Sequence, residues 1–255
     1  MKRNEPLVTT REAIIVPRQA VDGLITSLHI QLDHPTPHQM KLITRRFFFA
    51  LDLDKIIDRV STSCHLCASL QKAPHSRIEQ TTALPPETVG TTFAANIVKR
   101  SRQMILVVRE CVTSYTTTTL VDNEKHETLR DNLIRLCIDL VPLDGPNAVI
   151  RVDPGPGFQA LVNDLLLKQN RMTVEVGRIK NKNKNPVAEK ANQELEMELL
   201  KQNPLGGYVS PRELAIATAR LNSRIRSRGL SARETVTQRD QFSNSQIPLN
   251  DQDLI

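Results

Sequence analysis

The chain contains little aromatic material: no tryptophan, two tyrosines and six phenylalanines among its 255 residues. A hydrophobic core must therefore rest mainly on Leu, Ile and Val, which an apolar fraction of 39% permits. No apolar run approaches the roughly 20 residues of a membrane-spanning helix, and no apolar stretch follows the polar, basic N-terminus as in a signal peptide. These absences predict an intracellular protein, nuclear or cytoplasmic, without a membrane partner.

Cysteine is also scarce, because four residues are too few for a disulfide-stapled scaffold of this length. The thiols are therefore expected to be reduced. The formal net charge of +6 mildly favours a polyanionic partner, although an ordinary basic protein shows the same excess. The length allows one or two domains.

The N-terminal part of the chain is predicted to be helical. Residues 1–16 are polar and are expected to form a flexible tail. Within 17–75, apolar residues recur at helical spacing in three runs that begin at Val21, Met40 and Leu53. Residues 76–88 are polar, lack periodicity and include two prolines, which indicates a linker.

Residues 89–228 change in character and are predicted to form an α/β domain. The expected strands, rich in β-branched residues, are Phe93–Val98, Met104–Arg109, Ser114–Val121, Ala148–Val152 and Met172–Val176. The expected helices are Glu127–Leu140, Phe158–Gln169, Ala188–Lys201 and Pro211–Ile225. Residues 229–255 are expected to form a polar, loosely ordered tail.

The strongest motif is His29-x4-His34-x29-Cys64-x2-Cys67. A structural zinc ion is held by four tetrahedral nitrogen or sulfur ligands, often as two close pairs that folding brings together. A module of this size with few aromatic residues also needs such a staple, because metal binding supplies folding free energy. The motif therefore predicts one structural Zn²⁺ held by these four residues. His38 remains an alternative to His34, whereas His65 is expected to point away from the flanking cysteines.

A second pattern consists of Asp153 and Glu189, with 35 residues between them. Asp153 ends a predicted strand before Pro-Gly-Pro-Gly, and Glu189 lies near the start of a predicted helix. A strand end and a helix start can bring two carboxylates to one divalent cation, as metal-dependent phosphoryl transfer requires. Alone, the spacing is weak, since a chain with many carboxylates contains pairs at most spacings.

The combined motifs resemble those of the integrases of retroviruses and long-terminal-repeat retrotransposons, the gypsy-like group most nearly. The similarity covers nearly all of residues 20–230. The stretch HPTPHQMKLITRRFFF is similar to the family's segment after the second zinc histidine, and SCHLCASLQKAPH to its CxxC region. RVDPGPGFQA is similar to the family's second aspartate motif, and NPVAEKANQELE to its glutamate motif.

The resemblance implies a ribonuclease-H-like mixed sheet preceded by a small helical zinc-binding domain. It also implies DNA 3′-end processing and strand transfer, with Mg²⁺ or Mn²⁺ held by Asp153 and Glu189. The implied partners are DNA, both retroelement ends and a target duplex, and further copies of the chain in a homo-oligomer. Family members usually continue into a small DNA-binding domain, whereas the stretch after the last predicted helix is short and polar. We therefore expect a polyprotein fragment or a remnant copy.

One catalytic position departs from the family pattern. The family's first aspartate aligns with Asn96 in TTFAANIVKR. An amide keeps the shape of a carboxylate but removes its charge and cannot bridge two cations. Neither Glu110 nor Asp122 is expected to substitute, so the resemblance predicts an impaired active site.

Basic residues flank the glutamate motif. Lys180, Lys182, Lys184 and Lys190 are predicted to contact DNA phosphates without reading sequence. A solvated, mobile loop is the structural alternative for this run.

Three functions remain open from the sequence. The first is an integrase-derived DNA-binding protein with lost or weakened polynucleotidyl transfer. The second is an active enzyme that tolerates Asn96. The third is a zinc-stabilised scaffold for protein interaction or oligomerisation.

Overall fold

The computed structural model describes residues 13–70, 88–177, 185–226 and 229–249. The chain divides into two compact units, one comprising 1–75 with 224–231 and the other 76–223 with 232–255. The predicted core extended to residue 228, whereas 224–231 lies with the N-terminal unit. None of the helices in the described ranges is long and apolar enough to cross a membrane.

The N-terminal unit is mainly helical, as expected. Its elements are β1 (Ile14–Ile15), α1 (Arg18–Gln31), α2 (Pro37–Phe47), β2 (Phe48–Phe49), α3 (Leu53–Ser63) and α4 (His65–Leu70). The short strands β1 and β2 pair in parallel. Neither strand, nor α4, was expected from the sequence, because two-residue strands carry no periodicity to detect.

Local sequence signals explain where α1 and α2 form. In α1, Val21, Ile25 and His29 are buried at four-residue intervals along one face. At the start of α2, the Thr36 hydroxyl accepts from Gln39 N at 3.3 Å and Gln39 Oε1 accepts from Thr36 N at 2.9 Å. This reciprocal capping box satisfies two backbone donors that a helix start leaves unpaired.

The hydrophobic cluster of the N-terminal unit is small. Its buried members are Val21, Ile25, Met40, Leu53, Ile56 and Ile57. The returning segment adds polar contacts, because Gln39 Nε2 donates to Ile225 O at 3.2 Å and Arg46 donates to Gly229 O. A unit with so few buried side chains gains little hydrophobic free energy, which fits a need for further stapling.

The second unit contains a sheet and flanking helices. Its elements are β3 (Thr92–Arg100), β4 (Gln103–Glu110), β5 (Thr116–Val121), α5 (His126–Cys137), β6 (Ala148–Val152), α6 (Pro156–Gln159), α7 (Leu165–Gln169), β7 (Met172–Val176), α8 (Pro186–Gln202), α9 (Pro211–Ser223) and α10 (Ala232–Thr237). The strand order is β5-β4-β3-β6-β7. The first three strands pair antiparallel, whereas β6 pairs in parallel with β3 and with β7. The predicted α/β fold class, a ribonuclease-H-like mixed sheet, is confirmed.

Both faces of the sheet are covered, which is why β4 reads as an almost continuous apolar run. Leu106 and Val108 face a cluster that includes Leu129 and Leu133 of α5. The alternating residues Ile105 and Val107 face a second cluster. That cluster is completed by side chains of α8 and α9, namely Ala191, Leu195, Leu199, Leu214, Ala217 and Leu221. A one-residue slip would exchange the two faces, so the burial pattern fixes the register.

One expected helix is interrupted. The helix predicted over Phe158–Gln169 is divided into α6 and α7, so that prediction is wrong in its middle. The Asp164 carboxylate accepts from Leu167 N at 3.0 Å and caps a new helix start there. The capping tendency of Asp164 thus prevails over the apolar spacing on which the longer helix was predicted.

The expected loose order of the C-terminal tail is wrong for residues 229–249. This stretch contains α10 and an antiparallel bridge between Arg239 and Gln246. Asp240 is buried, and its Oδ1 accepts from the backbone amides of Phe242 and Ser243 at 3.0 and 2.8 Å. Polar composition concealed this order because the segment is stabilised by a side-chain turn rather than an apolar face.

The loop after β6 generates a testable contrast between two glycines. A Cβ on Gly157 would lie 2.1 Å from the Glu124 carbonyl oxygen, whereas a Cβ on Gly155 would meet nothing nearer than Phe158 at 3.9 Å. We expect Gly157→Ala to destabilise the second unit by about 1–3 kcal/mol, because backbone must move aside. Gly155→Ala is the control and should change stability by less than about 1 kcal/mol. Urea unfolding followed by circular dichroism measures both, and equal stabilities of the two variants would contradict the close approach at Gly157.

Candidate metal centres

The four residues of the predicted zinc motif meet in space. His29 lies near the end of α1, His34 in the following turn, Cys64 at the end of α3 and Cys67 in α4. One ligand atom from each lies within 4.8 Å of every other. Within the described parts of the chain, this is the one group of three or more His, Cys, Asp or Glu residues arranged to hold a metal ion.

The separations between these atoms fit a tetrahedral zinc ion. Nδ1 of His34 lies 3.2 Å from Cys64 Sγ, and Nε2 of His29 lies 3.3 Å from Cys67 Sγ. The two histidine nitrogens are 3.2 Å apart. Tetrahedral ligands at normal zinc bond lengths are separated by about 3.3–3.8 Å. The cluster is therefore compatible with structural zinc through His29 Nε2, His34 Nδ1 and two thiolates.

The turn that brings the histidines together uses unfavourable backbone conformations. Asp33 and His34 have φ angles of 60° and 58°, in the left-handed region that side chains disfavour. Backbone hydrogen bonds from His34 N to His29 O at 2.8 Å and from Asp33 N to Ile30 O at 3.1 Å hold the turn. A bound metal ion would offset this strain, because the left-handed turn brings the imidazole of His34 to the ion as a second histidine ligand.

The two neighbouring histidines lie outside the cluster. His38 is exposed in α2, and His65, between the cysteines, is exposed as well. Neither belongs to the group of converging ligand atoms. Geometry therefore favours His34 over His38 as the partner of His29.

Two of the predicted catalytic positions, Asn96 and Asp153, lie on or directly after paired strands of the second unit. Ala95 of β3 is the register partner of Val152 of β6, so Asn96 and Asp153 follow on adjacent parallel strands. Neighbouring strands are about 4.8 Å apart, so the backbone at position 96 lies near the residue that follows β6. β3 continues beyond β6, and Asn96 still pairs with Val107 of β4, so Asn96 lies inside a strand rather than at a free edge.

The helix that carries Glu189 begins at the same place. Asn185, the N-cap of α8, donates its side-chain amide to Ala95 O at 3.2 Å and to Arg151 O at 2.9 Å. Glu189 is half-buried in the first turn of that helix. Asn96 in the middle of β3, Asp153 after the end of β6 and Glu189 in the first turn of α8 thus lie on three segments whose neighbouring backbone groups Asn185 joins.

The acidic residues Glu110, Asp122 and Glu124 are exposed or held by other contacts. Glu110 is buried at the opposite end of β3, where it accepts hydrogen bonds from Gly90 N and from Thr113. Asp122 is exposed after β5. Glu124 is engaged by Lys99 at 2.5 Å. With the residues predicted from the sequence, the site would hold two carboxylates and one amide, whereas divalent metal chemistry prefers a fuller set of anionic oxygens.

The amide oxygen of Asn96 already has a donor, because it accepts from Ile97 N at 2.7 Å. A carboxylate in its place would keep that acceptor and add a negative charge beside Asp153. In the absence of metal, two such neighbouring charges repel each other. The asparagine is thus well accommodated by the fold without a cation.

Of the predicted DNA-contacting lysines, Lys180, Lys182 and Lys184 lie outside the described residues. Lys190 is exposed in the first turns of α8, next to Glu189.

Sequence reasoning missed two residues that hold α8 in place. One is Asn185, whose position suggested only a helix boundary. The other is Arg109, 2% exposed, which donates to Thr116 Oγ1 at 2.9 Å and to Glu194 Oε2 of α8 at 2.6 Å. The Arg109–Glu194 ion pair joins β4 to α8, which is distant in sequence, so no local sequence pattern predicts it.

No protein-family model and no curated protein matches this sequence. Among solved structures, the chain is similar to the crystal structure of the catalytic core domain of BIV integrase, at 18% identity and a TM-score of 0.47. That similarity covers 58% of this chain and 95% of the other. The ribonuclease-H-like architecture described above rests on strand order and register, and we take no residue role from the BIV structure.

The two remaining cysteines provide an internal reference for the zinc ligands. Burial raises the pKa of the Cys137 thiol to about 12. Burial, followed by the neighbouring Glu110 charge, raises the pKa of the Cys111 thiol to about 12. Because the thiolate is the reactive form, both thiols stay neutral and slow to react at pH 7.

We therefore expect one zinc ion per chain and two thiols, Cys64 and Cys67, that become reactive when it is chelated. Metal analysis and maleimide labelling at pH 7 measure the two quantities. Cys64→Ser should abolish stoichiometric zinc, whereas the control Cys111→Ser should retain it. Zinc-free purified protein, or unchanged zinc content in Cys64→Ser, would contradict the assignment.

Proposed function

We propose that this chain is an integrase-derived DNA-binding protein whose polynucleotidyl-transfer site is impaired by Asn96. It binds retroelement ends and target duplex as a homo-oligomer inside the cell, in the nucleus or cytoplasm. The zinc-stabilised unit and the ribonuclease-H-like core act together in this role.

The observation that carries the proposal is that Asn185, at the start of the helix that bears Glu189, donates to Ala95 O and Arg151 O, on the two parallel strands that lead to Asn96 and Asp153. An arbitrary Asp and Glu 35 residues apart have no reason to converge in this way. A His₂Cys₂ cluster in the same chain adds independent support. Both features agree with the integrase motifs of the sequence.

Asp153 and Glu189 would hold a divalent cation, Mg²⁺ or Mn²⁺, which supplies Lewis-acid activation of a hydroxyl or a leaving oxygen when bound. The two carboxylates contribute two negative charges, one fewer than a site with an acid at position 96. Because Mg²⁺ gives up water reluctantly, a site with fewer anionic ligands binds it less well. Asp153 and Glu189 therefore retain part of the metal-binding capacity but not enough for efficient transfer.

The alternative function is a zinc-stabilised scaffold for protein interaction or oligomerisation. It is favoured by a cleft of about 620 Å³ along the edge strand β5, lined by Thr116–Leu120, Leu136 of α5 and one face of α9. An edge strand offers unpaired backbone groups to another chain. The two functions differ in whether DNA or protein is the primary partner.

DNA binding separates these functions. We expect affinity for duplex DNA that depends little on sequence and falls steeply with salt, because phosphate contacts release counterions. Replacing Lys180, Lys182 and Lys184 by Gln should flatten the log–log salt slope by about 0.9 for each phosphate that is no longer neutralised.

Replacing the exposed Lys55, Lys125 and Lys168 by Gln is the matched control, since it removes the same charge from other places. Fluorescence anisotropy at several salt concentrations provides the measurement. If no binding to duplex DNA were detected even at low salt, the protein-interaction scaffold would be the better supported function. If both triple substitutions had equal effects, Lys180, Lys182 and Lys184 would contribute to DNA binding only through the overall charge of the protein.

The impaired site is tested by restoring one carboxylate. We expect no strand transfer from the natural chain, whereas Asn96→Asp should bind Mn²⁺ measurably by calorimetry, since a third anionic ligand is present. Asn96→Asp combined with Asp153→Asn is the control for total charge and should lose the gain. If the natural chain joins DNA ends as well as Asn96→Asp does, position 96 is not the first catalytic position.

A further inference from the structure

A single buried side chain joins the three elements that carry the proposed metal site. Asn185 is 3% exposed. Its Nδ2 donates to the carbonyl oxygens of Ala95, one residue before Asn96, and Arg151, two residues before Asp153. Its Oδ1 accepts from Ala188 N at 3.4 Å, directly before Glu189. One amide group therefore contacts β3, β6 and the first turn of α8.

The chemistry of this position calls for asparagine. The site presents two carbonyl acceptors on one side and a helix N–H donor on the other. A side-chain amide has two donors and an acceptor in one plane and satisfies all three. Aspartate would face two carbonyl oxygens with a carboxylate, and serine has one donor and a shorter reach. Leaving such buried carbonyls without a donor leaves their desolvation cost without compensation.

Several contacts fix the body of α8 beyond its first turn. Arg109 engages Glu194, and Ala191, Leu195 and Leu199 pack against the sheet, all beyond Glu189 along the helix. Pro186, at the first helical position, has no backbone N–H to donate. The side chain of Asn185 therefore ties the start of α8 to both strands by hydrogen bonds.

We propose that Asn185 is the positioning residue of the metal site, setting the location of Glu189 relative to Asp153 and position 96. This inference rests on the proposed function, in that the site it organises is the divalent-cation site. Asn185 itself does not bind the cation, because its polar atoms are engaged by backbone groups. Its action is to hold two strands and a helix start in one arrangement, so that carboxylates from distant parts of the chain face the same ion.

The experiment starts from the Asn96→Asp chain, in which Mn²⁺ binding is expected. Asn185→Ser is the test variant, because serine remains a good helix N-cap but lacks the paired donors. Gln193→Ser is the control, because it also replaces a side-chain amide by a hydroxyl on α8 but at an exposed residue. The readouts are Mn²⁺ affinity by calorimetry, the thermal midpoint, and hydrogen exchange of residues 186–192 and 195–202.

We expect Asn185→Ser to weaken Mn²⁺ binding about ten- to hundredfold, the usual effect of removing an outer partner of a ligand. Exchange should become faster over 186–192 and stay slow over 195–202, whereas Gln193→Ser should leave affinity and exchange near those of the parent. A lower thermal midpoint with unchanged Mn²⁺ affinity, measured well below that midpoint, would show a purely structural role and overturn the inference.

Hydrogen exchange keeps the two proposals separable. If the Asn96→Asp parent binds no Mn²⁺, the metal site fails, and exchange then decides whether Asn185 positions the helix start. Faster exchange confined to 186–192 in Asn185→Ser supports positioning even in that case. Unchanged exchange there overturns it, whatever the metal result.

Discussion

The parallel pairing of β3 with β6 is the contact on which the rest of the core depends. It joins an antiparallel three-stranded half to a parallel half and lies at the centre of the five-stranded order. It also puts residue 96 on the strand next to β6, whose end residue 153 follows, although a long stretch of chain separates the two residues. Strands that are buried on both faces cannot slip by one residue without exposing apolar side chains, so the same packing that stabilises the sheet fixes the site.

The substitution at position 96 changes charge far more than shape. Its amide oxygen accepts a backbone hydrogen bond, and its neighbour Asp153 is spared a second negative charge. A cluster of carboxylates is useful to a metal ion and unfavourable without one. Under the proposed function, the loss of one acid at this position would weaken metal binding and favour the metal-free fold.

Much of this architecture could be predicted from the sequence because its signals are local. β-branched strands such as Met104–Arg109, the apolar spacing of α1 and the spacing of Cys64 and Cys67 are all short-range patterns, and each indicated the right element or cluster. The helix break at Asp164 and the ordered turn at Asp240 were not predicted. Each depends on hydrogen bonds from backbone amides to one carboxylate, and the spacing of apolar residues does not reveal such bonds. The roles of Asn185 and Arg109 could not be found at all, since their partners lie far away in sequence and are recognised only by hydrogen bonding.

The membership of residues 224–231 in the N-terminal unit makes that unit discontinuous along the chain. Residues 1–75 emerge from the ribosome before any of the core, whereas residues 224–231 emerge only after α9 has been synthesised. When residues 224–231 join the N-terminal unit, the intervening chain, which contains most of the core, becomes a closed loop. The entropic cost of closing such a loop grows only slowly with its length. The backbone also passes between the units three times, so a protease that cuts the segment after residue 75 leaves them covalently joined through the connections at 223–224 and 231–232.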